Sequence, residues 1–553
     1  MKQQNKAVAL AVKRLGKNIG GSVCLISLIS VLAGCATNGY DRKATTTVDA
    51  MKSGNAELAL QALEQQNPDK DKDLLYFMEK GELLRMKGSY EASKETWLAA
   101  DEKVRGWEEQ VKTDPSKLLG DIGSIVLNDT TRRYDGRDYE KVFINLRLAL
   151  DHLAIGDWDL ARTEIKKMHE REAIIAEFRS KELDAAKSSA ESKGLKTTSF
   201  KELNGYPVET LEDPAVRALK NSYESAFANY LAGFVYEGLG EPSLAAAGYR
   251  KAIEMRPGQA TLEEGLKGLD GRVRSRSPKL VDTLIVIESG SAPAISSMTL
   301  PIILPIPGRS GLSLIATPIS WPVIRAADNS VVPASITVDD KPVQVALLTS
   351  VDQMARRALS DEMPGIIARS SIRAITKGIA QKAIDDNAGS LGAFGSLLSI
   401  AAKAGTMLGE VADERTWRTL PGFFSVARVK LAPGMHKILL PTATGPQLRE
   451  VGVSGAYAMV SLRTSGPSLY VAQTPYNAEQ AALALATPEK PIPMTKTAKS
   501  KTTAKKVAAN NSKSTGADAT ATITAAPAEK AAAVAGNTKK KAIVPVSASV
   551  SAP

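Results

Sequence analysis

The sequence predicts an α+β chain of several domains: an N-terminal α-solenoid followed by a β-sandwich-like domain with a helical insertion. Three observations predict it. From about Met51 to Arg272 apolar residues recur at helical spacing among Ala, Glu and Lys. Within that stretch glycine-containing breaks keep a period, since Gly54 and Gly88 lie 34 residues apart and Gly88 and Gly156 lie 68 apart, or twice that. At Lys279-Leu280 the composition switches to β-branched runs separated by turn residues. A chain of 553 residues exceeds what one core accommodates, so several units are expected.

The N-terminus comes first. Lys2, Lys6, Lys13, Arg14 and Lys17 stand there without an acid, and the apolar run Val23 to Leu32 is too short to span a bilayer. The ending Leu32-Ala33-Gly34-Cys35 resembles the bacterial lipobox. The resemblance implies that residues 1–34 are a cleaved signal peptide and that Cys35 is the lipidated first residue, with palmitate among its acyl groups. Residues 35–50 then read as a tether. Ala36 follows the cysteine, and no aspartate stands there of the kind that resembles an inner-membrane retention signal. The expected location is therefore the periplasmic face of the outer membrane, reached through the lipid at Cys35.

Residues 51–275 form the helical unit. The best repeat copy is Ala228 to Pro257. Gly233 and Tyr236 hold the small and aromatic places of a first helix, Gly240 the turn, Ala245, Tyr249 and Ala252 a small-aromatic-small ladder, and Pro257 the stop. This pattern resembles the tetratricopeptide (TPR) repeat. The copy around Gly88 keeps Gly81, Trp97 and Ala100 but has Ser93 where alanine is expected; the copy around Gly156 has His152 and Ile165 at aromatic places. The pattern lapses between Lys112 and Asp138 and from Lys181 to Asp213. The TPR resemblance implies a concave face that holds a protein partner, and it places Phe227, Tyr230, Phe234 and Glu237, with Phe143, Leu146, Leu150 and Leu153, on that face. These positions are so apolar that a second reading stands beside the first: another helix of the same chain covers them.

Residues 279–475 form the β-rich unit. Strands are expected at Leu284–Ile287, Thr299–Ile306, Leu312–Ile324, Ser335–Val338, Val343–Leu348, Phe424–Leu431, Met435–Leu440, Ala456–Leu462 and Leu469–Ala472. Prolines at 301, 305, 307, 318 and 322 confine their strands to edges or bulges. The insertion, 351–416, reads as helical. Ile372, Ile375 and Ile379 share one helix face and Arg369, Arg373 and Lys377 another, and the small-residue run Leu391 to Leu408 suits close helix contact. Asp413-Glu414-Arg415 is expected on a helix, its carboxylates pointing apart in a salt-bridging role. The blocks Asn128–Arg132 with Tyr139-Glu140, Glu288–Pro293, and Ala412–Trp417 with Leu420-Pro421 resemble those of an uncharacterised family of proteobacterial lipoproteins, which implies the two-part architecture and no defined activity.

From 476 onward a disordered Lys/Ala-rich tail is expected, with no aromatic after Tyr476. The formal charge of +11 belongs to the two ends, because five cations stand unopposed in the signal and eleven lysines face three acids beyond Pro488. The tail therefore suits an anionic envelope polymer, whereas the export signal and the lack of stacking aromatics argue against nucleic acid. Cys24 and Cys35 are the two cysteines, and His152, His169 and His436 the three histidines. No zinc-type spacing, nucleophile–base set or phosphate loop accompanies them, so no metal, cofactor or enzymatic activity is expected. The function expected is a lipid-anchored periplasmic scaffold that binds envelope proteins through the TPR-like array. The alternative is an accessory component of an envelope pore or secretion assembly.

Overall fold

The computed structural model describes residues 40–113, 133–192, 205–277, 279–308, 311–325, 330–388 and 411–486. Cys35, the signal, Asn128–Arg132, the run 391–408 and the tail from 487 lie outside them, as do the side chains of the stripe beyond Ser371.

Four helix pairs follow one another: α1 (Tyr40–Lys52) with α2 (Ala56–Gln66), α3 (Leu74–Met86) with α4 (Tyr90–Thr113), α5 (Asp138–Ile155) with α6 (Trp158–Ser192), and α7 (Ala226–Gly238) with α8 (Pro242–Met255). Short α9 (Ala260–Leu266) and α10 (Leu269–Arg274) close the array. The periodic glycines are its turns: Gly54, Gly88, Gly156 and Gly240 have φ of 83°, 76°, 90° and 81°, which a side chain would strain. Glycine also sets how closely the helices approach, because a methyl group at Gly81 or Gly233 would lie 2.6 Å from the ring of Trp97 or Tyr249. Ser93 stands in place of alanine without penalty, since its hydroxyl donates to the Gly81 carbonyl at 2.9 Å.

Two differences from expectation concern the ends. Helix α1 begins at Tyr40, so most of the stretch read as tether is helix, and its Val48 and Met51 are buried with α2 and α3. At the other end α12 (Ala478–Ala486) occupies the start of the expected tail. Tyr476 packs where a Cβ of Gly452 would stand.

The β unit holds a five-stranded sheet in the order β11-β10-β1-β7-β6 and a four-stranded sheet in the order β5-β4-β8-β9. The strands are β1 (Val281–Ser289), β4 (Ser335–Val338), β5 (Lys341–Gln344), β6 (Ala346–Ser350), β7 (Phe423–Leu431), β8 (Gly434–Leu440), β9 (Gln447–Val453), β10 (Tyr457–Ser465) and β11 (Ser468–Gln473). β1 and β10 are parallel, and β1 pairs antiparallel with β7. Every residue of β1 is buried, because the central sheet is covered on both sides. Val281, Ile285 and Ile287 join an apolar cluster with Ile438 and Val451 of the second sheet. Leu284 and Val286 join the cluster that contains the helices. The run Val343–Leu348, expected as one strand, breaks at Val345 into β5 and β6 of different sheets, and β9 lies outside every expected strand.

A separate two-stranded ribbon, β2 (Ile295–Gly308) with β3 (Gly311–Ile324), carries the prolines. The insertion begins as α11 (Val351–Ala388), but residues 411–422 contain no helix. The helical reading of Asp413-Glu414-Arg415 is thereby corrected. Arg415 folds back on Asp413 with contacts of 2.8 and 2.9 Å, an ion pair between near neighbours that an extended turn allows.

Candidate functional site: the filled groove

The residues assigned to a partner-binding face are core. Phe143, Leu146, Leu150, Leu153, Phe227, Tyr230, Phe234 and Glu237 are all 0 % exposed. Phe424 of β7 lies against Phe227 (ring centroids 4.9 Å apart, 16° between planes) and Phe143 (5.3 Å), while Tyr457 of β10 meets Phe234 edge-on at 5.7 Å. The occupant of the groove is the chain's own central sheet, where the second sequence reading expects a helix. Apolarity on every side is the available signal: in α7 each residue from Ala226 to Glu237 is buried, as for a helix with no solvated face.

Charged side chains fix the register of this packing. Arg147 of α5 reaches Glu82 of α3 at 2.6 and 2.9 Å and Glu288 of β1 at 2.9 Å, all three wholly buried. Ser461 of β10 donates to Glu288 at 2.8 Å. Arg85 binds Asp151, which also accepts the Trp97 indole N–H at 3.2 Å. Arg463 approaches Glu82 at 3.9 Å and donates to the carbonyls of Gly290 and Thr419. Three guanidiniums thus face three carboxylates, which keeps the cluster neutral. Burial alone would raise the Glu288 carboxyl, but Arg147 and Arg85 outweigh it and hold it well below the ordinary value. Burial raises Glu82, and the Glu288 charge adds to that rise.

A second set of carboxylates grips the irregular segment that leads into β7. Glu140 accepts the backbone N–H of Trp417 at 2.8 Å and the Thr416 hydroxyl at 3.0 Å. Glu79 accepts the next two N–H groups, Arg418 at 2.7 Å and Thr419 at 2.9 Å. Burial raises both acids, against the pull of these donors. The Trp417 ring sits 5.1 Å from Trp97. The main chain of residues 416–419, which bends from Arg418 on, is therefore held by two carboxylates, while the Trp417 ring is wholly buried. Glu140 and Trp417, far apart in two of the blocks singled out in the sequence, meet here.

At the far end of the array Glu237 accepts from Arg272 at 2.7 Å, the Tyr249 hydroxyl at 2.7 Å and Arg428 of β7 at 2.9 Å. Burial pushes its carboxyl up, but Arg272 and Arg428 bring it below the ordinary value. Arg428 also holds Asp282 of β1 at 2.7 and 2.9 Å. The sequence assigns Glu237 to a partner; the structure gives it to the sheet.

One small cleft of about 90 Å³ opens beside the groove, lined by Trp107, Tyr134, Arg137, Lys141, Phe178 and Glu362 among others. Its charges neutralise one another: Arg137 meets Glu362 at 2.5 Å, Arg179 meets Glu362 at 2.9 Å, and Lys141 stands 3.6 Å from Asp138. Among the described residues no group of His, Cys, Asp and Glu could hold a metal ion, and no helix is long and apolar enough to cross a membrane.

No protein-family model matches the sequence, and no curated protein is significantly similar to it. Among solved structures, the chain is similar to the TPR2AB domain of yeast Sti1 in its complex with pHSP90, at 16% identity over 42% of this chain and 69% of that one, with a TM-score of 0.17. It is also similar to a tetratricopeptide repeat protein from Parabacteroides merdae ATCC 43184, at 12% identity over 42% of this chain and 100% of that one, with a TM-score of 0.12. The description of the array as TPR-like rests on its own helix pairs, turn glycines and small-against-aromatic contacts.

Proposed function

We propose that this chain is a lipid-anchored, non-enzymatic scaffold of the bacterial periplasm, which binds protein partners in building or maintaining the cell envelope. The observation that carries the reading is the self-filled groove. Glu79, Glu82, Glu140, Glu237 and Glu288, buried carboxylates that chemistry would draw on, are each taken up in joining the array to the β unit or the segment that leads into it. Such an arrangement suits a rigid platform.

With the concave face occupied, partners meet other surfaces. Leu58, Leu160 and Leu244 each stand four residues after a turn glycine, at the start of a second helix, and are 49, 46 and 43 % exposed. Single exposed leucines are ordinary, but recurrence at one position of three helix pairs makes a row. The anchor reading rests on the Leu32-Ala33-Gly34-Cys35 motif.

A photo-crosslinking residue at Leu58, Leu160 or Leu244 in intact cells is expected to capture one common protein, and the same residue at Tyr230 or Phe234 none. Capture from the groove positions alone would overturn the assignment. Cys35→Ala is expected to abolish palmitate labelling; labelling that persists would remove the lipid anchor.

A further inference from the structure

A cleft of about 80 Å³ opens where the end of α8, the start of α7 and the joint between β6 and α11 come together. It is far smaller than the ~300–1,000 Å³ of a pocket for an organic ligand. Arg256, the residue after α8, lines it and is half-buried. Its Nε donates to the Leu348 carbonyl at 3.2 Å, and among the described residues the guanidinium has no other polar partner. Burial pushes Arg256 below its ordinary value, and no carboxylate is close enough to offset that cost. The guanidiniums of Arg147, Arg272 and Arg428, by contrast, each meet an acid.

Three hydroxyls line the same cleft, those of Ser225, Thr349 and Ser350, which are 2, 4 and 6 % exposed. The Phe227 N–H donates to Thr349 Oγ1 at 3.1 Å, the Ala228 N–H donates to Ser225 Oγ at 3.2 Å, and the two oxygens lie 2.9 Å apart. Each hydroxyl carries one hydrogen. One of the two makes the bond between the oxygens, so the other is left without an acceptor among the described residues, whichever residue keeps it. Ser350 Oγ accepts the Gln353 N–H at 3.3 Å, and its own hydrogen likewise finds no acceptor among them. Buried donors of this kind cost free energy until an acceptor satisfies them. They sit on the first turns of α7 and α11, helices of 13 and 38 residues whose N-terminal ends favour negative charge. Of the carboxylates at the rim, Glu224 is engaged by Lys251 at 2.8 Å and the Asn221 amide at 3.0 Å, and Glu254 is largely exposed, 4.0 Å from Lys220.

We propose that this cleft binds one small oxyanion, held by the Arg256 guanidinium, the spare hydroxyl of the Ser225–Thr349 pair and the Ser350 hydroxyl. An oxyanion supplies what each of these lacks: a countercharge for the guanidinium, lone pairs for the hydroxyl hydrogens, and negative charge for two helix ends. A cation would be repelled by Arg256 and by both ends. The site joins α7 and the end of α8 in the array to β6 and α11 of the β unit. A bound ion therefore braces the seam between them, and it stabilises the fold by mass action.

The test is equilibrium dialysis of the purified full chain against labelled inorganic phosphate and, separately, labelled acetate, at constant ionic strength in chloride. Saturable binding of one ion per chain is expected, with a matching rise in the urea midpoint. Binding of phosphate supports the site and assigns it to a phosphoryl group; binding of acetate supports it and assigns it to a carboxylate. Arg256→Met is expected to weaken binding roughly tenfold or more, and Ser350→Ala roughly threefold to tenfold, with circular dichroism unchanged. Arg256→Lys, which keeps the charge and loses the fork, is expected to fall between the native chain and Arg256→Met. Arg250→Gln, at an exposed arginine of α8 outside the cleft, is expected to leave binding as it was. Failure of both ions to bind would overturn the proposal. So would binding that survives both Arg256→Met and Ser350→Ala, or that Arg250→Gln weakens as much.

Discussion

The groove of the array and the β2–β3 ribbon are built from opposite materials. The groove sets Arg147, Glu82 and Glu288 among Phe143, Phe227 and Phe424. The ribbon sequence keeps one charge, Arg309, between Ile295 and Ile324. Apolar surface alone would let array and sheet slide, since dispersion and hydrophobic contacts have little direction. Buried ion pairs and carboxylate-to-N–H bonds admit one register. Charge in this chain marks where its array meets its sheet.

That contrast is best broken at its centre. Phe234→Asp should abolish folding, because it removes a buried ring worth about 3–5 kcal/mol and leaves a carboxylate without solvent. Circular dichroism and limited proteolysis would report it; a folded variant that merely lost a partner would restore the groove as a docking face. Arg147→Met should cost about 3–5 kcal/mol in urea unfolding, since Glu82 and Glu288 are left facing each other. Adding Glu82→Gln and Glu288→Gln should recover much of the loss. If it does not, packing and not charge holds the seam.

Smaller effects sharpen the picture. Burial pushes the Glu362 carboxyl up, but Arg137 and Arg179 outweigh this and hold it at about 2, below the ordinary 4.5. A depressed carboxyl stabilises the fold fully above its unfolded value and loses that contribution as pH falls toward 2. The stake is on the order of 3 kcal/mol. Urea midpoints measured from pH 7 downward should show the decline, and Glu362→Gln should be weaker at pH 7 with a flatter profile. Glu140→Gln should cost about 1–3 kcal/mol by weakening the hold on Trp417, and hydrogen exchange at that amide should quicken. Met435→Lys, at a site 57 % exposed on the outer sheet, should change stability by no more than about 0.5 kcal/mol.

The turns and most strands are legible in the sequence because they depend on local rules. Gly54, Gly88 and Gly156 announce themselves by period, and each adopts the left-handed backbone that only glycine takes cheaply. Helix α1 is hidden because Thr45, Thr46 and Thr47 depress helix propensity, while burial of Val48 and Met51 against later helices overrides it. Strand β9 is hidden because Gln447-Leu-Arg-Glu450 looks like a solvated loop; only the end of the strand, with Val451 and Val453, enters the core. The candidate site is half legible. Its residues can be found and their occupant cannot, since contacts such as Glu140 to Trp417 span 277 positions and leave no local trace. The stray acids Glu79, Glu82 and Glu140 on helices otherwise read as core are the available clue.

Array and sheet are also stitched at their outermost ends. Ser465 donates to the Met51 carbonyl at 2.9 Å, and Ser468 and Tyr470 to the Gly54 carbonyl at 3.2 and 2.7 Å. The first turn of the array waits for strands made 414 residues later. At ~5–20 residues per second, ribosomal synthesis would leave that first turn without its strands for roughly 20–80 s. Through that interval the first helix pair must stand on its own packing, with Val48, Met51, Leu60 and Leu63 buried against one another.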